Sequence, residues 1–147
     1  MTPAPTKTPQ VVLIYGLLGL SGFLGPPLVG LLAADYRALA SLFLVAYAAL
    51  ILSFLGGARW GLAVAGPAPS PITVSLAMLP TLFALALIVL PESHRLWQIG
   101  GLAAGLALQW IWDIRARGLP DWYPRLRTTL SGGALLGLIV GAFTLTG

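Results

Sequence analysis

Five stretches of the chain are almost entirely apolar, and each is about as long as a lipid bilayer is thick. They cover residues 11–33, 39–58, 72–90, 96–112 and 128–146. A helix rises about 1.5 Å per residue and the hydrocarbon core is about 30 Å thick, so an apolar run of about 18 residues is typical of a membrane-spanning helix. The pattern predicts an all-α fold, a polytopic membrane helix bundle with five transmembrane helices.

The composition supports this interpretation. Of 147 residues, 58% are hydrophobic and 8% are charged, whereas a soluble domain carries about 25% charged residues. Lipid must therefore be the solvent for much of the surface. Residues 1–10 are rich in proline and threonine and predict a disordered N-terminal tail. Residues 11–147 predict a single transmembrane domain of five helices.

The basic residues divide unevenly between the two predicted sides of the membrane. Six lie on the side of the N-terminus and two on the other. The six are Lys7, Arg59, Arg115, Arg117, Arg125 and Arg127, and the two are Arg37 and Arg95. Because cytoplasmic loops are enriched in Lys and Arg, we expect a cytoplasmic N-terminus and a C-terminus outside.

Charge and residue counts narrow the function classes. The net charge of +4 does not indicate nucleic-acid binding, because the basic residues sit in short loops beside apolar helices, where topology or anionic lipid explains them. The chain has no cysteine and one histidine, His94, so we expect neither a metal site nor a cofactor. The expected partners are membrane lipids, with a homo-oligomer or a membrane protein complex possible.

Proline and glycine predict where helices bend or touch. Pro26 and Pro27 predict a kink or break near Gly25, either as a packing kink or as a broken helix lining a cavity. Small residues four apart allow close helix approach, and we favour packing within the bundle over a dimer interface. These pairs and triplets are Gly57 with Gly61, Gly101 with Gly105, and Gly133 with Gly137 and Gly141.

The informative polar residues lie at the predicted cytoplasmic rim. Gln109 and Asp113 are four apart and share a helix face. Arg59 ends another span at the same expected depth, and a carboxylate near hydrocarbon needs a partner. We therefore expect Arg59 beside Asp113, with Arg115 and Arg117 as competing partners. This cluster is either a salt bridge that fixes helix register or part of a ligand pocket.

The following loop and the next helix extend this candidate site. Gly118 is placed to end one helix, and Pro124 predicts a helix start near Tyr123. Arg115, Arg117, Arg125 and Arg127, with Trp122 and Tyr123, suit an anionic lipid headgroup or serve topology alone. The candidate ligand-binding residues are Arg59, Gln109, Asp113, Arg115, Trp122, Tyr123 and Arg125.

Two runs, together with Asp113, resemble a known family. Residues 54–61 (FLGGARWG) and 120–127 (PDWYPRLR) are similar to motifs in a domain-of-unknown-function family of small bacterial membrane proteins, whose animal members include the mitochondrial transmembrane protein 69. The resemblance covers most of the chain and implies the bacterial inner membrane, or one descended from it. It supplies no mechanism. The double proline at 26–27 departs from the single proline expected there.

No motif for a nucleophile, metal or phosphate site is present, so the sequence favours a non-enzymatic protein. We interpret it as an inner-membrane protein that binds a lipid, a quinone-like molecule or a partner complex at a cytoplasmic-side polar pocket. The alternatives are a small transporter, supported by the prolines in the first and third spans, and a membrane-embedded enzyme that acts on lipid with Asp113 as general base.

Overall fold

A computed structural model describes residues 7–146, in which six α-helices follow one another through short connections. The helices are α1 (Gln10–Gly19), α2 (Ser21–Leu32), α3 (Arg37–Val64), α4 (Pro71–Ile88), α5 (Arg95–Ile114) and α6 (Tyr123–Leu145). Short 3-10 turns precede α3 and α5. Residues 1–6 of the predicted tail and residue 147 lie outside the described range.

Four stretches are long and apolar enough to cross a membrane. They are Gln10–Leu32, Ala34–Val64, Pro71–Ile88 and Tyr123–Leu145, and they confirm four of the five predicted membrane helices by length and composition. The remaining predicted stretch, 96–112, does form helix α5. This helix is not among the four, and it carries Gln98, Gln109 and Asp113, all of them buried.

Helix α3 is the centre of the bundle, because it contacts α2, α4, α5 and α6. Its Leu44 and Leu52 are fully buried and pack with Ile99 and Leu102 of α5 and Leu138 of α6. The helix continues beyond the predicted apolar span, which ends at residue 58, as far as Val64. Glycines and a charge interrupt the apolar run there, although they do not interrupt the helix.

The predicted break near Gly25 was also wrong. The irregular turn lies at Leu20, between α1 and α2. The proline rings at 26 and 27 would crowd the carbonyls of residues 22 and 23, about one helical turn further along the chain. The Phe23 amide donates to the Leu20 carbonyl, which leaves the Gly19 carbonyl without its usual donor. The Tyr47 hydroxyl of α3 donates to that carbonyl at 2.8 Å, so the kink is closed by a polar contact.

Glycines let the helices approach closely, mostly where the spacing predicted it. A Cβ on Gly105 would meet Leu52 and Phe83, and one on Gly137 would lie 2.5 Å from the Phe23 carbonyl oxygen. That carbonyl lost its helical donor to Pro27. These contacts confirm packing within the bundle. The expected approach at Gly57 and Gly61 was wrong, since both face open space. The neighbouring Gly56 contacts α4 instead, where a Cβ would lie 2.8 Å from the Ala77 carbonyl oxygen.

Buried Gln98 closes the α4–α5 connection, and the sequence argument did not identify it. Its amide nitrogen donates to the carbonyls of Leu87 and Leu90, each at 3.0 Å. Its amide oxygen accepts from Arg95 Nη1 at 2.8 Å. The last carbonyls of a helix lack their usual donors four residues ahead. The Leu87 carbonyl also accepts from the Leu90 amide at 3.2 Å, and Gln98 adds the hydrogen bonds that water would make in a soluble protein.

We expect Gly137→Ala to destabilise the protein by about 1–3 kcal/mol, because the added methyl would force α2 and α6 apart. The free energy of unfolding in detergent, measured from tryptophan fluorescence, tests this. Gly132→Ala is the matched control on the same helix, since nothing lies within 4 Å of its Cβ position. Equal effects of the two substitutions would contradict the close contact.

Candidate functional site

A charged cluster is buried where the end of α5, the start of α6 and the last third of α3 meet. Asp113 is at its centre and is only 1% exposed. Gln109 Nε2 donates to Asp113 Oδ1 at 3.1 Å, and Arg127 Nε donates to Asp113 Oδ2 at 2.9 Å. Arg59 Nε lies 3.8 Å from Oδ1. We call these four residues the Asp113 cluster.

Helical periodicity explains how the cluster assembles. Gln109 and Asp113 are one turn apart on α5, so both side chains point to the same neighbour. Arg127 is in the second turn of α6, where it shares a buried face with Ser131 and Ala134. Arg59 reaches the cluster from α3, and its guanidinium carbon lies 4.5 Å from the centre of the Trp112 ring, an attractive cation–π contact.

The cluster contains two positive charges and one negative charge, so it carries a surplus of one positive charge. The Arg59 and Arg127 side chains are only 13% and 9% exposed. Four buried donors have no acceptor among residues 7–146. Arg95 Nε lies at the α4–α5 connection, and the other three, Arg59 Nε, Arg127 Nη2 and Trp122 Nε1, belong to this end of the bundle. Because a buried donor without a partner costs about 1–3 kcal/mol, these atoms indicate a place where an acceptor from outside the protein would be stabilised.

Two apolar cavities end at this cluster. One, of about 630 Å³, lies between α4 and α5 and includes Gln109 and Trp112 in its lining. The other, of about 570 Å³, lies between α1, α3 and α6 and includes Tyr123 and Arg127. We call the second one the α1 cavity. Each has an apolar body with polar side chains at one end, as small-molecule sites do.

The structure brings together the three side chains whose proximity was expected, namely Arg59, Gln109 and Asp113. Helix α6 begins at Tyr123 as predicted, and Tyr123 lines the α1 cavity. Trp122 is half-buried and packs edge-on against Tyr123, with ring centres 6.1 Å apart.

The loop arginines are placed differently. Arg115, Arg117 and Arg125 are exposed and lie outside the Asp113 cluster. Arg115 and Arg117 were expected as competing partners of Asp113, and that expectation was wrong. Gly118 has a positive φ of 79° and shapes the loop, but α5 already ends at Ile114. Whether Arg115 and Arg125 bind a ligand stays a prediction.

Arg127 is the partner of Asp113 that the sequence argument missed, because it was grouped with the basic loop. Once the helix is known to start at Tyr123, Arg127 can be recognised as a residue of its buried face. Positions 127, 131, 134 and 138 follow the spacing of one helix face, and all four are buried. Arg127 is therefore a core position of α6, occupied by a charge.

Apolar helices that leave most of their large side chains uncovered, while enclosing a charged cluster, define a polytopic α-helical membrane protein. The family described as "Protein of unknown function (DUF3429)" matches residues 8–143, and the chain belongs to this family. The predicted resemblance is thereby confirmed.

Two curated relatives are similar over most of this chain. Transmembrane protein 69 of Xenopus tropicalis is 31% identical over 135 residues, which is 89% of this chain and 53% of the relative. Transmembrane protein 69 of Mus musculus is 32% identical over 138 residues, which is 90% of this chain and 56% of the relative. The chain thus spans about half the length of these relatives. No solved structure matches the chain.

We expect Asp113→Asn to destabilise the protein by about 3–5 kcal/mol, because it leaves Arg59 and Arg127 buried without a counter-charge. Unfolding in detergent, followed by tryptophan fluorescence, measures the effect. Asp121→Asn is the matched control, since Asp121 is exposed in the adjacent loop.

A double-mutant cycle isolates the ion pair. Asp113→Asn combined with Arg127→Gln is expected to lose less stability than the two single substitutions together, because the second change removes a charge that the first left unpaired. Strict additivity would show that Asp113 and Arg127 do not interact.

Proposed function

We propose that the protein is a non-enzymatic membrane protein that binds the polar end of an amphiphile, a lipid or a quinone-like molecule, at the Asp113 cluster. The observation that carries this proposal is one aspartate between the buried Arg127 and the partly buried Arg59, with donor atoms left unpaired. Charges in or beside hydrocarbon are costly, and such residues are functional-site candidates by default.

The cavities support the same proposal. Both fall within the range of about 300–1,000 Å³ that small-molecule pockets occupy. An amphiphile has a long apolar part and a compact polar end, and each cavity offers an apolar body that ends at the cluster. A partner complex would instead use the exposed rim residues around Arg115 and Arg125.

The geometry gives less support to the two alternatives. Both oxygens of Asp113 already accept hydrogen bonds, which disfavours this carboxylate as a general base for lipid chemistry. Transport would need a continuous polar path. On α5 the buried polar residues Gln98 and Gln109 are separated by buried Ile99, Leu102 and Leu106, an apolar layer about 16 Å deep.

We also propose that α5 is a fifth membrane span, with the N-terminus in the cytoplasm of a bacterial cell and the C-terminus outside its inner membrane. The polar residues of α5 face the bundle, whereas Leu96, Trp97 and Leu108 are more than half exposed. A helix with this arrangement presents an apolar surface to lipid. The surplus of basic residues on the N-terminal side supports the orientation.

The topology can be tested with single cysteines, because the chain has none of its own. We expect Lys7→Cys to react with an impermeant maleimide only after the inner membrane is opened, and Thr146→Cys to react in intact spheroplasts. Equal labelling of both positions from one side would mean an even number of crossings and would contradict a fifth span.

Binding can be tested by native mass spectrometry of the protein extracted in a gentle detergent. We expect one bound amphiphile per chain, and a reduced bound fraction in Arg59→Gln, because the headgroup would lose a cation. Arg117→Gln is the control, since it removes an exposed loop charge. Bare protein in every preparation, or equal loss in both variants, would contradict the proposal.

A further inference from the structure

We propose that the α1 cavity takes one acyl chain of an anionic phospholipid, whose phosphate oxygen accepts from Arg127 Nη2. This inference rests on the proposed function and specifies the ligand class and the cavity. The single positive charge that the Asp113 cluster leaves over is the charge of one phosphodiester, so this ligand would neutralise the cluster. A quinone is neutral and would leave the surplus in place.

The guanidinium of Arg127 has one nitrogen that donates to Asp113 and another that is left without an acceptor in the described part of the chain. Its Nε donates to Asp113 Oδ2 at 2.9 Å, while its Nη2 is buried and has no acceptor among residues 7–146. The side chain lines the α1 cavity, so its unpaired donor lies next to that cavity, behind neighbouring atoms that cover it. Guanidinium is the side chain best suited to hold a phosphate while bonded elsewhere, because its donors lie in a fixed planar fork.

The rest of the cavity is suited to a hydrocarbon chain. Beyond Arg127, Ser131 and the tyrosines at 15 and 123, its lining consists of apolar side chains and glycines. On the α1 wall, Gly16 and Gly19 contribute no side chain, beside Val11, Val12 and Tyr15. The cavity is about 570 Å³, within the size range of small-ligand sites.

Helix α1 provides the route of entry. None of its residues is buried, and Tyr15, which lines the cavity, is 71% exposed. An element with so few buried contacts opens at little cost in free energy. A lipid can therefore enter sideways from the bilayer between α1 and α3, and reach the Arg127 donor that neighbouring atoms now cover.

The test uses the full chain, purified in detergent, stripped of lipid and titrated by native mass spectrometry and thermal unfolding. The probes are phosphatidylglycerol, phosphatidylcholine with the same acyl chains, inorganic phosphate and a short-chain ubiquinone. We expect saturable binding of one phosphatidylglycerol and a raised melting temperature. We expect at least about ten-fold weaker binding of the other three, because they lack the net charge or the chain.

Two variants locate the site. Arg127→Lys keeps the charge beside Asp113 but replaces the planar fork, so we expect phosphatidylglycerol to bind about ten-fold more weakly. Ala58→Trp, at an exposed position of the cavity lining, fills the space without changing the cluster and should give a similar loss. It also tests the site if the Arg127 variant does not fold. Arg117→Gln should change binding by less than about two-fold.

Each contrary result has a distinct meaning. Equal binding of phosphatidylcholine or the quinone, weakened by Ala58→Trp, would overturn the anionic-lipid inference and leave the proposed function standing. Equal binding of inorganic phosphate would overturn the role of the chain. A loss in Arg117→Gln equal to that in Arg127→Lys would reduce the effect to surface charge. Absence of binding by every probe would overturn both proposals.

Discussion

The carboxylate of Asp113 is the constraint on which this end of the bundle depends. A single negative charge, 1% exposed, is neutralised from two other helices, so α3, α5 and α6 must keep their relative depth and rotation. In a bilayer, an apolar side chain gains little free energy when it moves from lipid to a neighbouring helix, because both are apolar. Close packing and polar contacts must therefore hold the helices together. The ion pair with Arg127 and the nearby Arg59 supply a specific contact that the uniform apolar surface lacks.

Away from the Asp113 cluster, glycine, proline and a few polar side chains determine how the helices pack. Proline removes the donor to the Phe23 carbonyl, and Gly137 allows α6 to lie against that carbonyl. Tyr47 similarly serves the Gly19 carbonyl at the kink, and Gln98 serves the end of α4. In the last two cases a backbone group that water would satisfy in a soluble protein is satisfied by a side chain of a neighbouring helix. The same elements thereby determine both the shape of the bundle and the position of its cavities.

Much of this architecture follows from the sequence, because apolar run length directly reports helices that cross lipid. Proximity of Arg59, Gln109 and Asp113 could be predicted because each has an assignable depth and face. Arg127 was missed because it was grouped with the arginines of the basic loop, although a helix that begins at Tyr123 places it on the buried face of Ser131 and Ala134. The kink at Leu20 depends on a hydroxyl from Tyr47, 27 residues away in sequence from Leu20, and no local pattern contains that information.

The length of α3 sets a preferred membrane thickness. From Arg37 to Arg59 the helix covers about 33 Å, so in a bilayer with a 30 Å core both arginines reach the headgroup level with the helix nearly upright. A thicker bilayer would draw one of these charges into hydrocarbon, and a thinner one would require tilt, at a fraction of a kcal/mol per Å. The spacing of these two cations thus matches the hydrocarbon thickness of an average bilayer, and a mismatch in either direction would cost free energy.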